Sequence, residues 1–124
     1  MIYYFGYYTK NSNPNNFLEF PGCSNKMSYI VNSIKSSNIS LTVICLGESR
    51  DGANHKSKDL KVDSLENNFF VGTMKYKIFS RLYLYFQIIN ILLFKVKKTD
   101  TIIFYHSYYL IFLFKFFKKI KKFN

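Results

Sequence analysis

The chain has 124 residues, of which 48% are hydrophobic, and it carries a formal net charge of +11. This length is sufficient for one domain with a real core, and the apolar content argues against an intrinsically disordered chain. Lysine supplies nearly all of the positive charge, whereas arginine, the better residue for bidentate phosphate contacts, occurs only at Arg50 and Arg81. The basic charge is therefore discounted in part as a functional signal.

The two cysteines, Cys23 and Cys45, form no CxxC pattern. Cys45 lies in an apolar run, where a small buried thiol is expected. Two cysteines without other crosslinks indicate a reducing compartment. The first residues begin a strand without a basic leader, so we expect a cytoplasmic protein.

The first half of the chain predicts two strands around one helix. Ile2–Tyr8 is β-branched and aromatic, as strands are. Thr9–Ser24 is a loop rich in Asn, Ser and Pro, and Ser24 is placed to cap the next helix. Ile39–Leu46 is a continuous apolar run, typical of a strand buried on both faces. The helix between them has one apolar stripe, formed by Met27, Ile30, Val31 and Ile34.

The second half predicts two further strands and two helices. Glu48–Asp59 is polar and predicts a surface loop, and Asn68–Val71 predicts a short third strand. Met74–Val96 predicts a long helix, Thr101–Tyr105 a buried fourth strand, and Ser107–Lys119 a last helix. Strands alternating with helices predict an α/β fold with a parallel sheet. We expect the inner face of the long helix to comprise Ile78, Leu82, Tyr85, Ile89, Leu92 and Val96.

The long apolar helix invites comparison with a membrane span, which needs about 20 mainly apolar residues. Its apolar run is interrupted by Arg81, Gln87, Asn90 and Lys95. We therefore predict a helix of an α/β domain.

Two features are atypical of a complete domain. Thr101–Tyr105 is apolar on both faces although no strand follows to pair with it, and a bare apolar edge favours aggregation. The last helix is apolar nearly all round before Lys118, as in a buried or membrane-bound helix. We expect residues 1–124 to be one partial domain of a truncated product.

Candidate site residues follow the first and fourth strands, because ligands of open α/β sheets bind outside the carboxyl ends of the strands. His106 can hydrogen-bond a sugar hydroxyl, act as a general base, or be a structural histidine. Gly6, with Tyr7 and Tyr8 after it, can approach the phosphate or sugar of a ligand, or it can simply form a turn. The segment GYYTKN is no dinucleotide fingerprint. Ser107 is more typical of a helix cap than of a nucleophile.

The end of the chain interleaves phenylalanine with a basic cluster of Lys115, Lys118, Lys119, Lys121 and Lys122. Such a segment can lie on an anionic membrane surface, or it can be a solvated helix end. No nucleic-acid motif accompanies it, so we expect no nucleic-acid partner. His55 has no second histidine or cysteine nearby, and no metal site is expected.

Several segments together resemble the amino-terminal domain of GT-B glycosyltransferases of the family 4 type, which act in capsule, lipopolysaccharide and other polysaccharide assembly. The similar segments are MIYYFGYY, the Asn- and Pro-rich loop, NKMSYIVNSIKSSN with ISLTVICLG, and KKTDTIIFYHSYYL, in which TDTIIFYHS is the most specific part.

The resemblance implies an acceptor-binding Rossmann-like half, with Gly6 and His106 facing the cleft. It also implies that a second domain, absent here, grips the nucleotide sugar, and that basic aromatic helices attach the enzyme to the inner membrane face. We expect transfer of a sugar from a nucleotide sugar to a glycan or lipid-linked acceptor, without a covalent cofactor and with no activity of this chain alone. His106 is the catalytic candidate, and Gly6, Tyr7 and Ser107 are the acceptor-binding candidates.

Two other classes remain open. One is a small basic protein of the membrane periphery, and the other is a small α/β binding module without enzymatic activity. Salt-sensitive binding to anionic vesicles would favour the first, and a soluble monomer with a steep salt dependence of nucleic-acid binding would favour the second.

Overall fold

A computed structural model describes residues 1–9 and 12–123. Its strands are β1 (Ile2–Gly6), β2 (Leu41–Cys45), β3 (Lys58–Lys61), β4 (Glu66–Phe70) and β5 (Thr101–Phe104). Its helices are α1 (Pro21–Ser36), α2 (Lys77–Asn90) and α3 (Ile111–Lys121). A π-helical turn, Ile91–Lys95, continues α2, and a 3₁₀ turn, Tyr108–Leu110, precedes α3.

The strands form one mixed sheet in the order β3-β4-β2-β1-β5. Strands β4, β2, β1 and β5 are parallel, whereas β3 pairs antiparallel with β4. The α/β class is thus confirmed, but the prediction of a wholly parallel sheet is wrong at this edge. All four residues of β3 are exposed and three are charged, so the sequence carries no apolar signal for this strand.

Helices cover both faces of the sheet. Phe114 of α3 packs on Phe5 and Phe104, with ring centroids 4.9 and 5.2 Å apart. On the opposite face, α1 packs against the end of β1 through Met27, whose sulfur would be 2.5 Å from a Cβ at Gly6. The parallel strands between these layers hold the buried core.

Helix α1 begins earlier than the sequence suggested. Pro21 occupies its first turn, where the missing N–H costs nothing, and Phe20 is the N-cap position. Ser24 is buried inside the helix, and its hydroxyl oxygen accepts the Thr9 N–H at 3.3 Å. The prediction that Ser24 caps the helix is therefore wrong. The predicted apolar stripe is confirmed, with Met27 and Val31 fully buried.

The inner face of α2 differs from the predicted one. Ile78 and Leu82 are 75% and 61% exposed, whereas Gln87 and Ile88 are buried. The helix is apolar around most of its circumference, so apolar spacing does not select one face. Of the other predicted positions, Leu92 and Val96 are buried, and Tyr85 and Ile89 are half-buried.

Strand β5 pairs with β1 alone among residues 1–9 and 12–123, so it is an edge strand there. Its four residues are all half-buried. The segment Lys77–Lys95 has the length and composition to cross a membrane, with 22% of its most apolar window buried.

Candidate functional site

A cleft of about 440 Å³ opens at the carboxyl ends of the parallel strands. Tyr7, Gly47 and Gly72, which line it, lie just beyond the ends of β1, β2 and β4. At its far side the cleft reaches Tyr109, which follows β5. Strands β2 and β4 are added on one side of β1, and β5 is added on its other side. Open α/β sheets bind ligands in the crevice where the strand order reverses in this way.

Gln87 fixes the floor of the cleft to α2. Its side-chain carbonyl accepts the Gly72 N–H at 2.7 Å, and its amide donates to the Gly72 carbonyl at 3.1 Å. A Cβ at Gly72 would lie 2.7 Å from the Tyr83 ring and 2.8 Å from the His55 carbonyl oxygen. The backbone at the end of β4 is therefore held tightly on both sides.

The loop after β2 forms one wall and is organised by the Asp51 carboxylate. That carboxylate accepts hydrogen bonds from the Ser49 hydroxyl and, at 2.9 Å, from the Ala53 N–H. The His55 ring lies 3.0 Å away, and these contacts hold the pKa of Asp51 well below its usual range. Backbone bonds between His55 and Thr73, both 2.9 Å, join this wall to the end of β4.

The opposite wall of the cleft is basic. This wall carries three cationic side chains, those of Lys75, Lys77 and Arg81. Among the described residues, Glu48 supplies the one carboxylate that lines the cleft. Lys77 lies 3.9 Å from Glu48, and both side chains are largely exposed. The first turn of α2 has no acidic residue and no side-chain cap, so the positive end of the helix dipole adds to this charge.

Aromatic rings form the end of the cleft near β1 and β5. The hydroxyl oxygens of Tyr7 and Tyr109 are 3.5 Å apart, and Tyr7 packs edge-on against Phe20 with centroids 5.2 Å apart. Burial, together with the Tyr7 contact, raises the pKa of Tyr109 well above its usual range. Tyr109 therefore stays neutral at physiological pH.

The residues predicted at the strand ends have different surroundings. Tyr7 lines the cleft. Gly6 is the last residue of β1, buried beneath Met27, so helix packing and not a turn requires a glycine there. His106 is exposed at φ +55°, with its ring centroid 4.2 Å from that of Tyr105. Ser107 is fully buried, and its hydroxyl neither caps the 3₁₀ turn nor has another partner in the described chain.

The predicted basic cluster lies on and just after α3, away from the cleft. Its exposed members Lys115, Lys118, Lys119 and Lys122 surround a shallow depression beside Phe123. Lys121 is different, because its ammonium donates to the carbonyls of Leu93 and, at 3.0 Å, Val96. It thereby ties the end of α3 to the chain after α2.

Sequence reasoning missed the residues that follow β4. The segment GTMKYK directly follows the third predicted strand, so the strand-end argument that selected Tyr7 could also have selected Thr73 and Lys75. Gln87 was visible only as a polar interruption of an apolar helix.

In the comparisons with known proteins, no family model, curated protein or solved structure matches the chain.

Proposed function

We propose that this chain is the acceptor-side, Rossmann-like half of a glycosyltransferase that transfers a sugar from a nucleotide sugar to a glycan or lipid-linked acceptor. The observation that carries this proposal is the cleft at the carboxyl ends of β1, β2 and β4, with tyrosines at one end and polar side chains along its walls. The order of the four parallel strands, third-second-first-fourth along the chain, matches the first four strands of the Rossmann order, in which the fourth strand is added on the other side of the first.

The chemistry of the cleft suits a carbohydrate. The Tyr7 and Tyr109 rings offer flat apolar surfaces for the C–H face of a pyranose, and their hydroxyls can exchange hydrogen bonds with sugar hydroxyls. Thr73, Ser80 and the exposed Glu48 add polar groups on the walls. Sites of this kind combine apolar walls with a few placed polar groups that orient the ligand.

In the complete enzyme we propose that His106 lies at the border of the acceptor site. It follows β5 beside the β1–β5 crevice, and its ring is exposed and makes no hydrogen bond within the described residues. An imidazole so placed can accept a proton from an acceptor hydroxyl. The nucleotide sugar would bind chiefly to a second domain, as the resemblance implies, and the protein would work in the cytoplasm at a membrane surface.

Saturation-transfer NMR on the 124-residue chain, with a panel of methyl pyranosides and disaccharides, tests this proposal. We expect saturation transfer to at least one saccharide, and its loss in a Tyr7→Leu variant. Tyr29→Leu is the matched control, because Tyr29 lies on α1, is 77% exposed and does not line the cleft. If no saccharide receives saturation, or if both variants behave alike, the sugar-binding proposal fails.

A second candidate function, attachment to an anionic membrane, is favoured by exposed apolar side chains on α2 and α3. These helices lie on the same side of the sheet, and the residues concerned are Ile78, Phe79, Leu82, Phe86, Phe112, Phe116 and Ile120, all at least 57% exposed. Exposed apolar surface bordered by lysine is typical of proteins that bind anionic lipid. Flotation with vesicles containing phosphatidylglycerol should then recover the chain, and high salt should weaken the recovery.

A further inference from the structure

The cleft carries an excess of positive charge that a neutral sugar does not need. Three cationic side chains line it, against the single carboxylate of Glu48 in the described chain. One of them, Arg81, is one of only two arginines in the whole sequence. Arginine presents a planar fork of donors that matches phosphate oxygens.

Two of these cations lie where helix physics disfavours them. Lys77 is the first residue of α2 and Arg81 lies four residues later, so both project from one face of its first turns. Like charges at this spacing repel, and cations at a helix N-terminus oppose the helix dipole. An anion in the cleft would remove both penalties.

The cations are also free to receive a ligand. Lys75 and Arg81 form no ion pair within the described chain, and the Lys77–Glu48 pair at 3.9 Å is exposed and therefore weak. The backbone N–H of Lys75 donates to the Asn54 side-chain oxygen at 2.7 Å, which fixes the main chain at this wall.

Among the serine and threonine hydroxyls of the cleft, that of Ser80 is the available donor. The Ser49 hydroxyl donates to Asp51, and the Thr73 hydroxyl donates to the Ala53 carbonyl at 3.4 Å. The Ser80 oxygen instead accepts the Met74 N–H at 3.2 Å, and its own proton has no acceptor within residues 1–9 and 12–123. That proton can be donated to a ligand oxygen.

We propose that the cleft binds a phosphoryl group of its ligand, through Lys75, Lys77 and Arg81 with the Ser80 hydroxyl as a further donor. This inference deepens the proposed function, because it assigns a phosphate-bearing acceptor to the same cleft, but the phosphoryl site stands on its own contacts.

Isothermal titration of the 124-residue chain with inorganic pyrophosphate, at fixed ionic strength, tests the site. Arg81→Gln and Lys77→Gln should each weaken binding about tenfold, as the loss of a charge-assisted contact does. Lys115→Gln is the matched control, because Lys115 is exposed on α3 and does not line the cleft. It should change affinity less than about twofold. Ser80→Ala should weaken binding by a smaller factor than Arg81→Gln.

Circular dichroism melting of each variant shows whether it is folded, and Arg81→Gln should melt no lower than the wild type because like-charge repulsion is relieved. Equal affinities of wild type and both cleft variants would overturn the proposal. It would also be overturned if Lys115→Gln weakened binding as much as Arg81→Gln, since the attraction would then come from net charge alone.

Two further ligands identify the source of the phosphoryl group. Monomeric dihexanoyl phosphatidic acid that binds more tightly than a hexose 1-phosphate indicates a lipid-borne phosphate, provided that the excess is lost in Leu84→Ser, since Leu84 is an apolar residue that lines the cleft. Equal affinities indicate a soluble phosphate ester. Pyrophosphate binding that depends on Arg81, without saturation transfer to any saccharide, retains the phosphoryl site and removes the glycosyltransferase proposal. Saccharide binding without pyrophosphate binding removes the phosphoryl site and retains the glycosyltransferase proposal.

Discussion

Replacing Gln87 with methionine removes the side chain that holds the end of β4 at the floor of the cleft. Methionine keeps the length and flexibility of glutamine but can neither donate to nor accept from the Gly72 backbone. Both Gly72 groups are buried, and their bonds to Gln87 are 2.7 and 3.1 Å long. Each backbone group left without a partner costs about 1–3 kcal/mol. We therefore expect a loss of about 2–6 kcal/mol from a stability that is roughly 5–15 kcal/mol for a domain of this kind.

Urea unfolding followed by far-ultraviolet circular dichroism measures this loss, since the chain has no tryptophan. Phe86→Gln is the control, because Phe86 is the adjacent residue of α2 and is 61% exposed, so its replacement should change stability by less than about 0.5 kcal/mol. Gln87→Glu should be destabilised at neutral pH, where a carboxylate faces the Gly72 carbonyl, and should recover as falling pH protonates the new carboxyl group. If Gln87→Met loses no more than Phe86→Gln, the floor of the cleft is not held as described.

Three more predictions concern the layers around the sheet. Gly6→Ala should cost about 1–3 kcal/mol in urea unfolding because its Cβ would overlap Met27, and Met27→Ala in the same chain should recover part of that loss. Lys35→Met should destabilise the protein at neutral pH in the same assay, because the buried Glu66 carboxylate loses an ammonium donor 2.9 Å away. Burial raises the pKa of Tyr4 to about 12, so its contribution is present below about pH 10 and lost as the pH rises through 12, a loss of about 1–3 kcal/mol. Burial raises the pKa of other tyrosines as well, so urea unfolding at successive alkaline pH values compares the wild type with Tyr4→Phe, and equal pH dependence of the two would contradict this prediction.

The predictable parts of the fold are the segments whose apolar pattern fits only one secondary structure and one buried face. The continuous apolar run around β2 and the single apolar stripe of α1 each allow only one burial pattern. Strand β3 has no apolar periodicity and forms only because β4 offers it a free edge, so no local signal predicts it. The face of α2 is likewise fixed by a tertiary contact, the pair of bonds between Gln87 and Gly72.

The candidate site was predictable in part for the same reason. The strand-end argument located Tyr7 because β1 is unambiguous, and the cleft includes this residue. The third predicted strand, Asn68–Val71, has a weaker signal, so Thr73 and Lys75 after it were not predicted. Arg81 lies within α2, where the end of a strand gives no indication of it. The catalytic assignment of His106 stays a prediction, because its exposed ring makes no hydrogen bond in the described chain that would assign it a role.

Amide chemical-shift mapping of the 124-residue chain, titrated with pyrophosphate and with the best-binding saccharide, tests most directly whether the cleft is the ligand site. We expect the shifts to concentrate at Tyr7, Gly47, Thr73 and Ser80, around the carboxyl ends of β1, β2 and β4. Shifts confined to the basic residues of α3, such as Lys118, or spread evenly over the lysines would contradict it.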